Sequence, residues 1–164
     1  MTALLREPNP RFTNAMRRSL VVALLALFAL QVILTARQMS PAYDEVASLP
    51  AGYVFLKTGH WFIPAHPPLI FALSALPLLA LNPRLDLNDP QLTRETPNQW
   101  NVGLDFLGLN NDDDRLFFWG RLPVMLLSLL LGYFVYRWAK ELYGGGAGLM
   151  ALLLYAFCPT TIAH

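Results

Sequence analysis

From Ser19 to Ala36 the chain runs SLVVALLALFALQVILTA without a single charge. As a helix rising about 1.5 Å per residue, this stretch crosses most of a roughly 30 Å hydrocarbon core. A cleaved signal peptide is the rival reading. The polar region before it is long for one, and Leu34 and Arg37 spoil a small-residue cleavage site, so an uncleaved first span is expected. Arg6, Arg11, Arg17 and Arg18 precede it and place residues 1–18 in the cytoplasm. The composition agrees with membrane residence: 55% of residues are apolar and only 14% are charged, against about a quarter charged in soluble domains. A net charge of +1 argues against a nucleic-acid partner, and a lone cysteine, Cys158, excludes an internal disulfide.

Two further apolar runs have similar length, residues 122–138 and 147–163. Between them Arg137 and Lys140 are followed by Gly144-Gly145-Gly146, which reads as a cytoplasmic turn over 139–146. A shorter run, Leu69–Leu81, begins after Pro67-Pro68 and contains Pro77. If it spanned, the Arg137–Lys140 turn would face outward. If it lies in the interface, both basic segments are cytoplasmic, and this version is adopted. The expected fold is an all-α membrane protein: three transmembrane helices plus membrane-parallel helices, near 41–57 and 67–81, in a large outer loop over 37–121. The chain stops at His164 just after an apolar run, which reads as truncation of a longer protein.

The outer loop holds every candidate for chemistry. Ser40-Pro41 suits a helix start, with Asp44 and Glu45 in the first turn, and Pro50 and Gly52 are expected to interrupt that helix. The two acids have two readings: partners of the helix dipole, or a carboxylate base, of which one faces a substrate because helical neighbours point about 100° apart. His66-Pro67-Pro68 is either helix punctuation or a cation placed where the prolines remove backbone donors, able to hold a phosphate. Lys57 and His60 are weaker candidates, each more readily a snorkelling residue. Arg121, at the outer mouth of the second span, either reaches headgroups or holds a lipid phosphate. Tyr53, Trp61 and Phe62 read as interfacial aromatics, although an aromatic face can also stack on a sugar ring. Asn82 to Arg115 reads as a solvated loop with Trp100 and Phe106 as anchors. The Asp112–Asp114 run lacks the alternating ligands of a calcium loop and reads as a solvated face. No zinc spacing and no Gly-rich phosphate loop are present.

Taken in order, three stretches resemble the polyprenyl-phosphate-dependent glycosyltransferases of the C-type fold, the group of protein O-mannosyltransferases and aminoarabinose transferases called glycosyltransferase family 39. They are DEVASLPAGYVFLKTGHW followed by HPPLIFALSALPLL, then DDDRLFFWGRLPVMLLSLLLG, then GLMALLLYAFCPTTIAH. The resemblance covers the chain from about Leu20 onward and implies a partial C-type fold in a bacterial inner membrane. It implies transfer of a sugar from a polyprenyl-phosphate carrier to an acceptor hydroxyl, of protein, glycan or lipid, on the outer face. Asp44, beside Glu45, would be the catalytic carboxylate. His66, with Lys57 or Arg121 in support, would contact the carrier phosphate. Ala65 stands where the family carries an acid, so no role passes to it, and the family's second acidic motif would lie past His164. A phosphate leaving group needs cationic support more than a general acid, while the acceptor hydroxyl needs a base; attack opposite the phosphate inverts the anomeric centre. A divalent metal could replace or assist the cations, and the residues leave that open. The alternative is a non-catalytic membrane protein, or an inactive fragment of such an enzyme.

Overall fold

A computed structural model describes residues 10–86, 89–92, 94, 97–110 and 112–163, with side chains from Asn14 to Ile162. Residues 1–9 of the expected cytoplasmic tail, Arg6 among them, and His164 lie outside the described residues, as does the side chain of Arg11; residues 10–18 of that tail already belong to α1. The described chain is all-α, with no strand among its residues. In chain order the helices are α1 (Pro10–Gln38), α2 (Tyr43–Thr58), α3 (Leu69–Leu81), α4 (Gln99–Asn110), α5 (Asp113–Tyr143), α6 (Gly145–Ala156) and α7 (Pro159–Ala163). Two of them, α1 and α5, are long and apolar enough to cross a membrane, with only 22% and 17% of their most apolar windows buried within the protein. A soluble core helix would be mostly buried, so this exposure is consistent with an integral membrane protein.

Several boundaries differ from the sequence expectation, each for a local reason. The first span, 19–36, sits inside the longer α1. The second begins at Asp113, not residue 122, because Asp113 and Asp114 occupy the first turn of α5, where the dipole favours acids. The expected third span, 147–163, is not one helix: α6 ends at Ala156, and α7 starts at Pro159 after a turn at Phe157-Cys158. Pro159 has no N–H to continue the ladder and disfavours helical backbone at Cys158. The glycine turn is reduced to Gly144, at φ 88°, a conformation that favours glycine.

The chain divides into two compact units, residues 1–35 with 127–164, and residues 36–126. In the first, α1 and α5 run antiparallel. The Arg17 guanidinium covers Gly145, Val21 packs with Tyr136 and Leu152, and Leu25 reaches Gly132. The Phe28 and Tyr155 rings meet edge to face at 5.3 Å, and the Tyr155 hydroxyl donates to the Ser128 carbonyl at 2.8 Å. The start of α1 and the end of α5, with their arginines and Lys140, therefore share one end of this unit.

In the second unit α2 packs between α3 and α4. It runs unbroken through Pro50 and Gly52, contrary to expectation. Both residues serve its packing. Pro50 removes the donor of the Val46 carbonyl, and that carbonyl faces Gly103 of α4 so closely that a Cβ there would lie 2.1 Å away. A Cβ on Gly52 would lie 2.1 Å from the Phe71 carbonyl of α3. Backbone-to-backbone approach at two faces of one helix buries Leu49, Tyr53, Ala75, Leu78 and Phe106 together, and Ala51, Val54, Phe62, Ile63 and Val102 as a neighbouring cluster. The expected loop 82–115 contains α4, whose N-terminus is capped by Asn98: its Oδ1 accepts from the amides of Trp100 at 3.0 Å and Asn101 at 3.4 Å. Gly52→Ala is expected to destabilise by about 1–3 kcal/mol, since neither backbone can yield easily. Gly108→Ala, where nothing lies within 4 Å of the new methyl, is expected to be neutral or stabilising by up to about 1 kcal/mol. Thermal unfolding in detergent compares the two.

Candidate functional site

α2 begins later than Ser40-Pro41 because Glu45 fixes the start. Its Oε2 accepts from the Ala42 amide at 2.9 Å, making Ala42 the N-cap residue, with Asp44 and Glu45 in the first turn. The two acids then part company, as helical neighbours must. Glu45 turns to Arg121, whose Nε donates to Glu45 Oε1 at 2.8 Å and whose Nη2 donates to Oε2. The same guanidinium donates through Nη1 to the carbonyls of Ala36 at 2.8 Å and Met39 at 3.1 Å, and through Nη2 to that of Ser40 at 3.2 Å. All five guanidinium N–H groups are thus engaged. The ion pair is largely shielded, with 16% of the Arg121 and 30% of the Glu45 side chain exposed. Arg121 satisfies the carbonyls that α1 leaves open at its end and ties them to the first turn of α2.

Asp44 faces elsewhere. It lines a cavity of about 280 Å³ with Ala47, Ser48, Ile63, His66, Phe71, Gln99 and Trp100. The cavity draws on α2, the 59–68 connection, α3 and α4, so it exists only when the second unit is assembled. His66 reaches it from a pinned loop: its amide donates to the Ile63 carbonyl at 3.1 Å, and its carbonyl accepts from Trp61 Nε1 at 3.1 Å. Its imidazole lies beside Phe71, ring centres 6.0 Å apart. Tyr43 stacks on Trp100 at 4.0 Å with the rings 27° from parallel, fixing that indole at the cavity wall. Among the described residues, the side chains of Asp44, Ser48, His66 and Gln99 make no hydrogen bond or ion pair. Asp44 and His66 are solvent-exposed and Ser48 and Gln99 half-buried, so the pocket is open to water and offers four polar side chains beside apolar wall, a combination a small ligand can use.

Of the residues singled out in the sequence, the structure thus gathers Asp44 and His66. Glu45 and Arg121 are joined to each other. Lys57 stands apart: thirteen residues along α2 from Asp44, roughly 20 Å at helical rise, with its Nζ donating to Asn82 Oδ1 at 3.0 Å and lying 5.5 Å from the Tyr53 ring centre. His60 packs against Phe62. Ser48, Gln99 and Trp100 were missed as site residues. Asn98 ahead of Trp100, with Val102 and Phe106 four apart, is the signal that could have placed the last two on a helix. No group of three His, Cys, Asp or Glu side chains among the described residues could hold a metal ion. Comparisons with protein-family models, with curated proteins and with solved structures find no match for the chain.

Removing Arg121 would strand Glu45 and three carbonyls together. Arg121→Ala is expected to cost about 2–4 kcal/mol, somewhat below the range for a fully buried pair. Arg121→Lys, with three donors on one nitrogen, should recover less than half of the loss. Chemical unfolding of the detergent-solubilised protein measures both.

Proposed function

We propose that this chain is a membrane glycosyltransferase, or the site-bearing part of one, that moves a sugar from a polyprenyl-phosphate carrier to an acceptor hydroxyl. The observation that carries the proposal is the shared cavity: a carboxylate without an ion partner, Asp44, and an imidazole without a hydrogen-bond partner among the described residues, His66, line the same small space. Asp44 takes the proton of the acceptor hydroxyl, and the acceptor oxygen attacks the anomeric carbon. The bond from that carbon to the phosphate oxygen breaks, and the electron pair leaves with the polyprenyl phosphate. His66 donates a hydrogen bond to the departing anion. In-line attack inverts the anomeric centre. The lipid carrier and the family come from the resemblance in the sequence.

The orientation follows from charge. Arg17 lies on Gly145 in the unit where the end of α5 carries Arg137 and Lys140, which supports a common cytoplasmic side for these cations under the positive-inside rule. With α1 and α5 as spans, residues between them then belong to the outer side of a bacterial inner membrane. Neither Arg121, whose donors are all taken, nor Lys57, at the far end of α2, has a part in this chemistry. The remainder of a C-type fold belongs to the same proposal.

Asp44→Asn is expected to reduce transfer from polyprenyl-phosphate sugars in membranes by about a hundredfold or more, the range of a lost general base. Lys57→Ala should transfer at the wild-type rate. Wild-type turnover by Asp44→Asn would end the proposal.

A further inference from the structure

The cavity's α4 wall has a shape of its own. Trp100 lines the cavity and stacks on Tyr43 with ring centres 4.0 Å apart, a contact that favours this placement of the indole. Ile63, Ala47 and Phe71 supply further apolar wall, and Gln99 and Ser48 supply an amide and a hydroxyl with no partner among the described residues. At about 280 Å³ the cavity is just smaller than typical drug-sized sites, which run from about 300 to 1,000 Å³. That is room for one ring and its substituents.

We infer that Trp100, Gln99 and Ser48 form the subsite for a single pyranose ring, and that α4 sets which sugar the cavity accepts. A pyranose has a C–H face and a rim of hydroxyls. The face of an aromatic ring is partially negative and attracts the weakly positive C–H face. The hydroxyl rim needs partners that both donate and accept, which an amide and a hydroxyl provide. A flat hydrocarbon would make no use of Gln99 and Ser48. A phosphate alone would make no use of Trp100. A quaternary ammonium could use Trp100 and Asp44, but it would leave the Gln99 amide donors and the Ser48 hydroxyl unspent.

The inference rests on the transferase reading for its biological meaning, but sugar binding is measurable without turnover. Saturation-transfer NMR on the protein in phosphatidylcholine nanodiscs, with methyl α-mannopyranoside and methyl β-glucopyranoside as probes, reads it directly. Ring-proton signals are expected with the wild type, for one probe more than the other. Trp100→Ala should weaken them by about fivefold or more, the loss of one aromatic contact, and Trp100→Phe should retain part. Gln99→Ala, which leaves the Tyr43 stack intact, should alter the preference between the probes. Absence of signal with both probes overturns the inference. So does a signal unchanged in Trp100→Ala and Gln99→Ala, or a tetramethylammonium signal that displaces both sugars. Trp100-dependent binding beside an active Asp44→Asn would leave this subsite standing while removing the base. Loss of transfer in Asp44→Asn with binding indifferent to α4 would do the reverse.

Discussion

The Arg121 guanidinium is the point on which the second unit depends. A single planar cation with five fixed donors meets two carboxylate oxygens and three backbone carbonyls. No other side chain could answer that set: a lysine has three donors on one centre, and a histidine has two. The consequence reaches Asp44. Glu45 is held by Arg121 and by the Ala42 amide, so the first turn of α2 has a fixed rotation. With that rotation set, the adjacent carboxylate is directed to the cavity beside His66. Two neighbouring acids that look alike in the sequence are given different work by one cation.

Several polar side chains of the second unit are committed to its structure. Arg121, Lys57, Asn98 and Asn110 are spent on structure, each bonded to backbone or to another side chain. Those lining the Asp44 cavity are not. Asp44 and His66 are exposed and Ser48 and Gln99 half-buried, so water can satisfy them until a ligand takes its place, and close backbone packing at Gly52 and Gly103 fixes α2 against its two neighbours. The frame and the cavity are thus made by the same helix, α2, with its glycine on one neighbour, its proline-freed carbonyl on another, and Asp44 and Ser48 at its first turns.

Much of this was legible in the residues, for reasons of length and charge. The helix expected near 67–81 is found at Leu69–Leu81, opened by its prolines and closed by Asn82 in a left-handed conformation. The runs 19–36 and 122–138 lie in long helices because their residues are mostly apolar and no turn signal interrupts them. What was not legible depended on partners distant in sequence. Pro50 and Gly52 read locally as breakers, and only α3 and α4 reveal them as contact surfaces. Arg121 read as a free cation at a span's mouth because Glu45 lies 76 residues away. The helix at Gln99–Asn110 was hidden by its Asn and Gly content, and with it Trp100. The break at Phe157 was written in Pro159 but outweighed by a run of apolar residues. Asp44 and His66, by contrast, were both singled out from local pattern and the resemblance; their sharing a cavity required the fold.

The proposed topology, read from charge and chain order, puts Asp44 and His66 among the residues between α1 and α5 that lie outside the cytoplasm. With Cys158, the lone thiol, replaced by serine, single cysteines at Ala65, an exposed neighbour of His66, and at Leu142, exposed at the end of α5, can be probed in intact cells with a membrane-impermeant maleimide. The account predicts labelling of Ala65→Cys without permeabilisation and of Leu142→Cys only after it. Labelling of Leu142→Cys from outside, with Ala65→Cys protected until the cells are opened, would contradict it.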